Sequence, residues 1–203
     1  HANILASYAD FLHTVRGDMG QTEQMYQRAI TADPTNTNIL GAYATFLKNI
    51  PGDMDQAEQM YQQAITADPH HARNLGAYAT FLENIRGDTD QAEQMYQRAI
   101  DADPHHANNL GNYAAFLHTV RGDTDQAQDM YQRAITADPH HANNLGNYAI
   151  FLHTVRGDTD QAQDMYQRAI TADPHHANNL GNYAIFLHTV RGDTDQAQDM
   201  YQR

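Results

Sequence analysis

The sequence predicts an all-α solenoid of stacked antiparallel helical hairpins, and three observations carry that prediction. The chain repeats every 35 residues, with Asp-Pro at Asp33-Pro34, Asp68-Pro69, Asp103-Pro104, Asp138-Pro139 and Asp173-Pro174. Each period holds two runs of apolar residues three or four apart, the spacing of one helix face. Each run ends on a helix-breaking signal, Gly-Asp after the first and Asp-Pro after the second. A repeat of this length marks an array of supersecondary units rather than one globular core.

One array is expected to cover residues 1–203, in units near 1–34, 35–69, 70–104, 105–139, 140–174 and a truncated 175–203. The sequence has no initiator Met and stops seven residues short of six full repeats, which reads as a piece of a longer array; a signal peptide upstream stays open. Units four to six are nearly identical, while earlier ones vary at Lys48, Arg73, Glu83 and Thr35-Asn36-Thr37. Recent tandem amplification explains that gradient, and an engineered origin stays open beside it.

The fourth unit justifies each element. Leu110, Tyr113, Ala114, Leu117 and Val120 form one face of a first helix, widened by Phe116. Arg121-Gly122-Asp123 interrupts it. Glycine permits a sharp turn, and Asp123 can cap a second helix with Gln126 three residues on. That helix carries Ala127, Met130, Tyr131, Ala134 and Ile135 on one face, with the small alanines allowing close approach. Asp129 and Arg133, four apart, are expected to pair weakly along it. It ends at Asp138-Pro139, because proline disfavours helix at the preceding residue. Such a hairpin buries too little to stand alone, so neighbouring units must cover it.

Composition bounds the function. The formal charge is -13, with 12 Lys+Arg against 25 Asp+Glu. A phosphate backbone is repelled by such a surface, so nucleic acid is not an expected partner. The 13 histidines nearly balance that charge when protonated, so acidification should reduce the repulsion that favours solubility. No apolar run approaches the roughly 18 residues of a membrane helix, so no membrane partner is expected. With no Cys, thiol chemistry is absent and the compartment is open, a cytoplasmic location being favoured.

These residues resemble the tetratricopeptide repeat family. The match is Gly122-Asp123-Thr124-Asp125-Gln126-Ala127, Tyr131, Ala134-Ile135 and Asp138-Pro139, with Leu110, Tyr113, Ala114 and Leu117 upstream, and it recurs along the whole chain. This chain departs from the common 34-residue repeat by one residue around Thr119–Arg121, which is expected to lengthen the first helix. Thr22 replaces a small alanine in the first unit, and Pro51 sits in the second turn. The resemblance implies a right-handed superhelix whose first helices line a concave groove, and a scaffold that grips an extended peptide or a helix.

The candidate groove follows from helix phase. With Leu110, Tyr113, Ala114 and Leu117 buried, the other face of the first helix shows Asn108, Gly111, Asn112, Ala115, His118 and Thr119. Later units place Asn143, Asn147 and His153, then Asn178, Asn182 and His188, at the equivalent positions. An asparagine amide offers two donors and an acceptor, so such a ladder can pair with a peptide backbone of any sequence. It resembles the asparagine-lined groove of O-linked N-acetylglucosamine transferase. Solvated polar residues copied by duplication are the competing account. A Lys and Arg carboxylate clamp, as in chaperone-tail grooves, is missing at these positions.

Other constellations are weaker. The pairs His70-His71, His105-His106, His140-His141 and His175-His176 fall in turns a repeat apart, on the order of 10 Å, which is too far for one metal ion. No dedicated metal site is expected. Asp123-x-Asp125-x-x-x-Asp129 lacks the glycine and glutamate of a calcium loop, and capping explains it better. No catalytic residues or cofactor are expected, since a catalytic site needs unlike groups converging and repetition supplies like ones.

The reading is a non-enzymatic protein-interaction scaffold. The alternative is a self-assembling array stacked end to end, with Leu5, Tyr8 and Phe11 at one end and Ala197, Met200 and Tyr201 at the other.

Overall fold

In the computed structural model, residues 1–50 and 52–203 are described, and Pro51 lies outside them. The described residues form twelve α-helices and no strand. They gather into two compact units, His1–Asp103 and Pro104–Arg203, divided within an Asp-Pro pair.

The first unit holds α1 (Ala2–Phe11), α2 (Met19–Ala32), α3 (Thr37–Leu47), α4 (Met54–Ala67), α5 (Ala72–Phe81) and α6 (Thr89–Ala102). The second holds α7 (Ala107–Phe116), α8 (Thr124–Ala137), α9 (Ala142–Phe151), α10 (Thr159–Ala172), α11 (Ala177–Phe186) and α12 (Thr194–Gln202). In each unit every odd helix packs chiefly on the even helix that follows.

The even helices start as their sequence dictates. Asp123 Oδ1 accepts from the Gln126 backbone N–H at 3.0 Å, and the Gln126 side chain donates to Oδ2 at 2.8 Å. Asp18, Asp88, Asp158 and Asp193 likewise accept from the backbone three residues on. Capping of this kind is worth about 1 kcal/mol. At the other end Asp138 is extended, with φ at -140°, because Pro139 follows it.

The odd helices end less regularly. In five of the six hairpins the last turn widens to π geometry, as in Leu117–Arg121. The Leu117 carbonyl accepts from both Gly122 N–H and Asp123 N–H, the latter at 2.9 Å. Gly122 closes the turn at φ 69°, in the left-handed region that glycine enters without strain. This is where the sequence places its additional residue, and the helix widens there rather than running on as a longer α-helix. After α3 the chain has instead a tight turn, with Ile50 N–H bonded to the Leu47 carbonyl at 2.9 Å.

The core matches the predicted stripe at Leu110, Tyr113, Ala114, Phe116 and Leu117, and at Ala127, Tyr131 and Ala134. Three expectations fail. Val120 is 39% exposed, because the widened turn rotates it off the stripe. Gly111, expected on the open face, is buried. Arg133 turns to the Met130 sulfur at 3.5 Å instead of pairing with Asp129.

Aromatic rings join successive hairpins within a unit. Tyr131 on α8 meets Tyr148 and Phe151 on α9, with centroids 5.5 and 5.4 Å away. Arg156 lies over its own Phe151 ring at 5.6 Å and reaches back to Asp125 at 2.6 Å. Arg86 repeats this in the first unit with Phe81, Asp55 and Glu58.

Candidate functional site

In the first unit the odd helices line an open cavity of about 650 Å³. Asn3, Ser7, Asp10 and His13 come from α1 and its π turn, Asn38, Ala42 and Thr45 from α3, and Arg73 and Ala77 from α5. These positions recur every 35 residues, so the cavity is a row of equivalent helix faces.

In the second unit the equivalents are the predicted residues. Asn108, Asn112, Asn143, Asn147 and Asn178 are exposed, and Asn182 is half-buried. His118 and His153 are half-buried and set edge-on to Phe151 and Phe186, at 5.4 and 5.3 Å, while His188 is exposed. The first two imidazoles are therefore partly structural. In the first unit His13 packs likewise on Phe46, at 5.3 Å, and its buried Nδ1 has no partner among the described residues.

Sequence reasoning passed over the neighbouring asparagines. Asn74, Asn109, Asn144 and Asn179 are buried. Asn144 Nδ2 donates to the Ala107 carbonyl of the preceding hairpin at 2.9 Å, and Asn179 to Ala142 at the same distance. These two amides hold successive hairpins together. The signal was present in the sequence. Gly41, Gly111 and Gly146 each leave room for the asparagine of the following hairpin, whereas Ala6 precedes Ile39.

Tyrosine hydroxyls also reach this face. Tyr26 lines the cavity and donates to Asp10. Tyr61 shares a hydrogen bond with Thr45 at 3.2 Å, and Tyr96 with Thr80 at 3.1 Å; Tyr96 also donates to Glu83 at 2.7 Å. Burial pushes these phenols above their ordinary range. Burial also raises the Glu83 carboxyl, although the Tyr96 hydrogen bond opposes the shift.

The histidine pairs belong to turns. The second of each pair caps an odd helix: His141 Nδ1 accepts from Asn144 N–H at 3.3 Å. The first sits in a turn closed by the Asp side chain, as in His140 N–H to Asp138 Oδ1 at 3.0 Å. No cluster of three or more metal-ligating side chains occurs among the described residues. No helix among them is long and apolar enough to cross a membrane.

At the ends, Tyr8 and Phe11 are exposed and stack at 6.3 Å, and Tyr201 is 62% exposed where its equivalent Tyr166 is 1%. Leu5 and Met200 are half-buried. Ala197 is buried in its own hairpin and adds nothing to an open face.

Family models match along the middle of the chain. The model described as TmcB, TPR repeats matches residues 54–109, and one described as tetratricopeptide repeat matches 85–141 and 117–177. Together they reach from residue 54 to residue 177, more than half the chain. No curated protein matches by sequence. Among solved structures, the chain is similar to PilF of Pseudomonas aeruginosa, with 19% identity, 98% of this chain and 88% of that one covered, and a TM-score of 0.78. TTC0263, a thermophilic TPR protein of Thermus thermophilus, aligns at 16% identity over 92% and 99% of the two chains, with a TM-score of 0.76. YrrB, described as a TPR protein with an unusual peptide-binding site, aligns at 18% over 89% and 90%, with a TM-score of 0.57. The repeated hairpins and the matched models agree: the chain belongs to the tetratricopeptide repeat family and has its all-α fold of stacked helical hairpins.

Proposed function

We propose that this chain is a non-catalytic scaffold that holds an extended peptide or partner segment along the faces of its odd-numbered helices. The observation that carries the reading is the row of exposed amides at Asn108, Asn112, Asn143, Asn147 and Asn178. Each can donate to and accept from a peptide backbone. The peptide-binding site ascribed to YrrB lends analogy only. A peptide selected from a displayed random library against the whole chain supplies the test. Replacing Asn112, Asn147 and Asn182 together with Ala should weaken its binding about tenfold or more, at roughly one hydrogen bond each. The melting temperature should stay nearly unchanged. Unchanged affinity would count against the amide row.

The exposed Tyr8, Phe11 and Tyr201 favour a second reading, head-to-tail stacking of copies. Gly181 adds to it, since nothing lies within 4 Å of a Cβ placed there, whereas Gly111 and Gly146 are filled. The contact would be heterologous and would propagate. Sedimentation across a concentration series should then show mass rising with concentration, and Tyr201→Asp should suppress it. A constant monomer mass would rule this reading out.

A further inference from the structure

We propose that the groove face of the second unit takes a peptide segment free of Lys and Arg in polyproline-II form, held by the hydroxyls of Tyr131 and Tyr166. This rests on the peptide-scaffold reading and names the ligand chemistry of one half of it.

The argument starts from a substitution in the repeat. The residue sixteen before each even-helix tyrosine faces its hydroxyl. In the first unit it is a hydrogen-bonding side chain: Asp10 accepts from Tyr26, and Thr45 and Thr80 share a hydrogen bond with Tyr61 and Tyr96. In the second unit the same positions are Ala115 for Tyr131 and Ile150 for Tyr166. Neither side chain can form a hydrogen bond. Tyr131 and Tyr166 are nonetheless 2% and 1% exposed. Their phenols are raised by burial alone, with no hydrogen-bond partner contributing. The chain supplies no hydrogen-bond partner to either hydroxyl, and neither oxygen is sealed from solvent, at a face of exposed asparagines with the His153 ring 6.1 Å from that of Tyr166.

Spacing selects the ligand's form. Equivalent groups on successive hairpins lie roughly 10 Å apart. An extended β-strand turns successive side chains and carbonyls to alternate sides, so carbonyls three residues apart face opposite ways. A polyproline-II strand has three residues per turn and a rise of about 3.1 Å, so carbonyls at i and i+3 face one way, roughly 9 Å apart. That repeat fits one carbonyl per tyrosine. The exposed amides of Asn112 and Asn147 flank the two donors and can take the intervening backbone.

Charge selects its composition. Residues 105–121, 140–156 and 175–191, which supply the odd helices of this unit, contain no Asp or Glu. A lysine or arginine in the ligand would meet no counter-charge there. In the first unit Asp10 and Glu83 stand at groove-facing positions, each bonded to an even-helix tyrosine.

The test uses the full chain and a fluorescein-labelled oligoproline read by anisotropy, against a Gly-Ser peptide and a Lys-substituted oligoproline of equal length. Oligoproline should bind most tightly. Tyr131→Phe with Tyr166→Phe should weaken it about tenfold, at one neutral hydrogen bond each. Tyr61→Phe should not change it. Because the two hydroxyls have no partner in the chain, the double variant should melt no lower than the parent. Oligoproline binding no tighter than Gly-Ser, or indifferent to both substitutions, overturns the proposal. A library-selected peptide that still depends on Asn112 and Asn147 in that case leaves the scaffold reading standing. If no displayed peptide is enriched either, both fall.

Discussion

Asn144 fills the space that Gly111 leaves. A Cβ on Gly111 would come within 2.7 Å of the Asn144 side-chain carbon, while Asn144 Nδ2 donates to the Ala107 carbonyl at 2.9 Å. The glycine is a sterically required partner of a buried amide one hairpin later. In a helix interior, Gly to Ala ordinarily stabilises by roughly 0.5–1 kcal/mol. Here Gly111→Ala should reverse sign and destabilise by about 1–3 kcal/mol, by displacing a buried hydrogen-bonded amide. Gly181→Ala, in open space, should keep the ordinary sign. Denaturant unfolding of the two variants decides, and equal shifts would refute the interlock.

Alkaline pH should unfold the chain. Tyr26, Tyr61, Tyr96, Tyr131 and Tyr166 are all raised by burial. A folded-state value above the unfolded one gives stability that is complete below the unfolded value, about pH 10, and is lost as pH rises beyond it. The melting temperature should therefore be flat from neutral pH to about pH 9 and fall steeply above about pH 10. A profile that stays flat to about pH 12 would show the phenols ionising freely while folded.

Chelation should leave the fold alone. His71, His106, His141 and His176 each spend Nδ1 on a helix cap. Adding a chelator to tag-free protein should not shift its melting temperature. His141→Ala should cost about 0.5–2 kcal/mol with or without metal, the ordinary loss of a cap. A chelator-dependent melt would assign these pairs to a metal instead.

The hairpin was legible because its signals are local. Asp123 caps, Gly122 turns and Pro139 stops through backbone chemistry that needs no neighbour. The stripe from Leu110 to Leu117 likewise follows from helical phase. What escaped depends on the next hairpin. Asn143 and Asn144 are chemically identical, and only packing against the preceding helix separates the exposed one from the buried one. Val120 leaves the stripe because the turn widens to π geometry, which the 3.6-residue period does not anticipate. The unpaired hydroxyls of Tyr131 and Tyr166 depend on Ala115 and Ile150 sixteen residues upstream, a relation visible only once the two helices face each other.

The central claim, that the odd-helix face carries the ligand, is tested most directly by side-chain amide NMR of the whole chain with a library-selected peptide. The Asn112 and Asn147 carboxamide signals should shift on titration, while the backbone signals of Asp125 and Asp160, on the even helices, stay in place. Shifts confined to Asp125 and Asp160, with the two carboxamides unmoved, would contradict it.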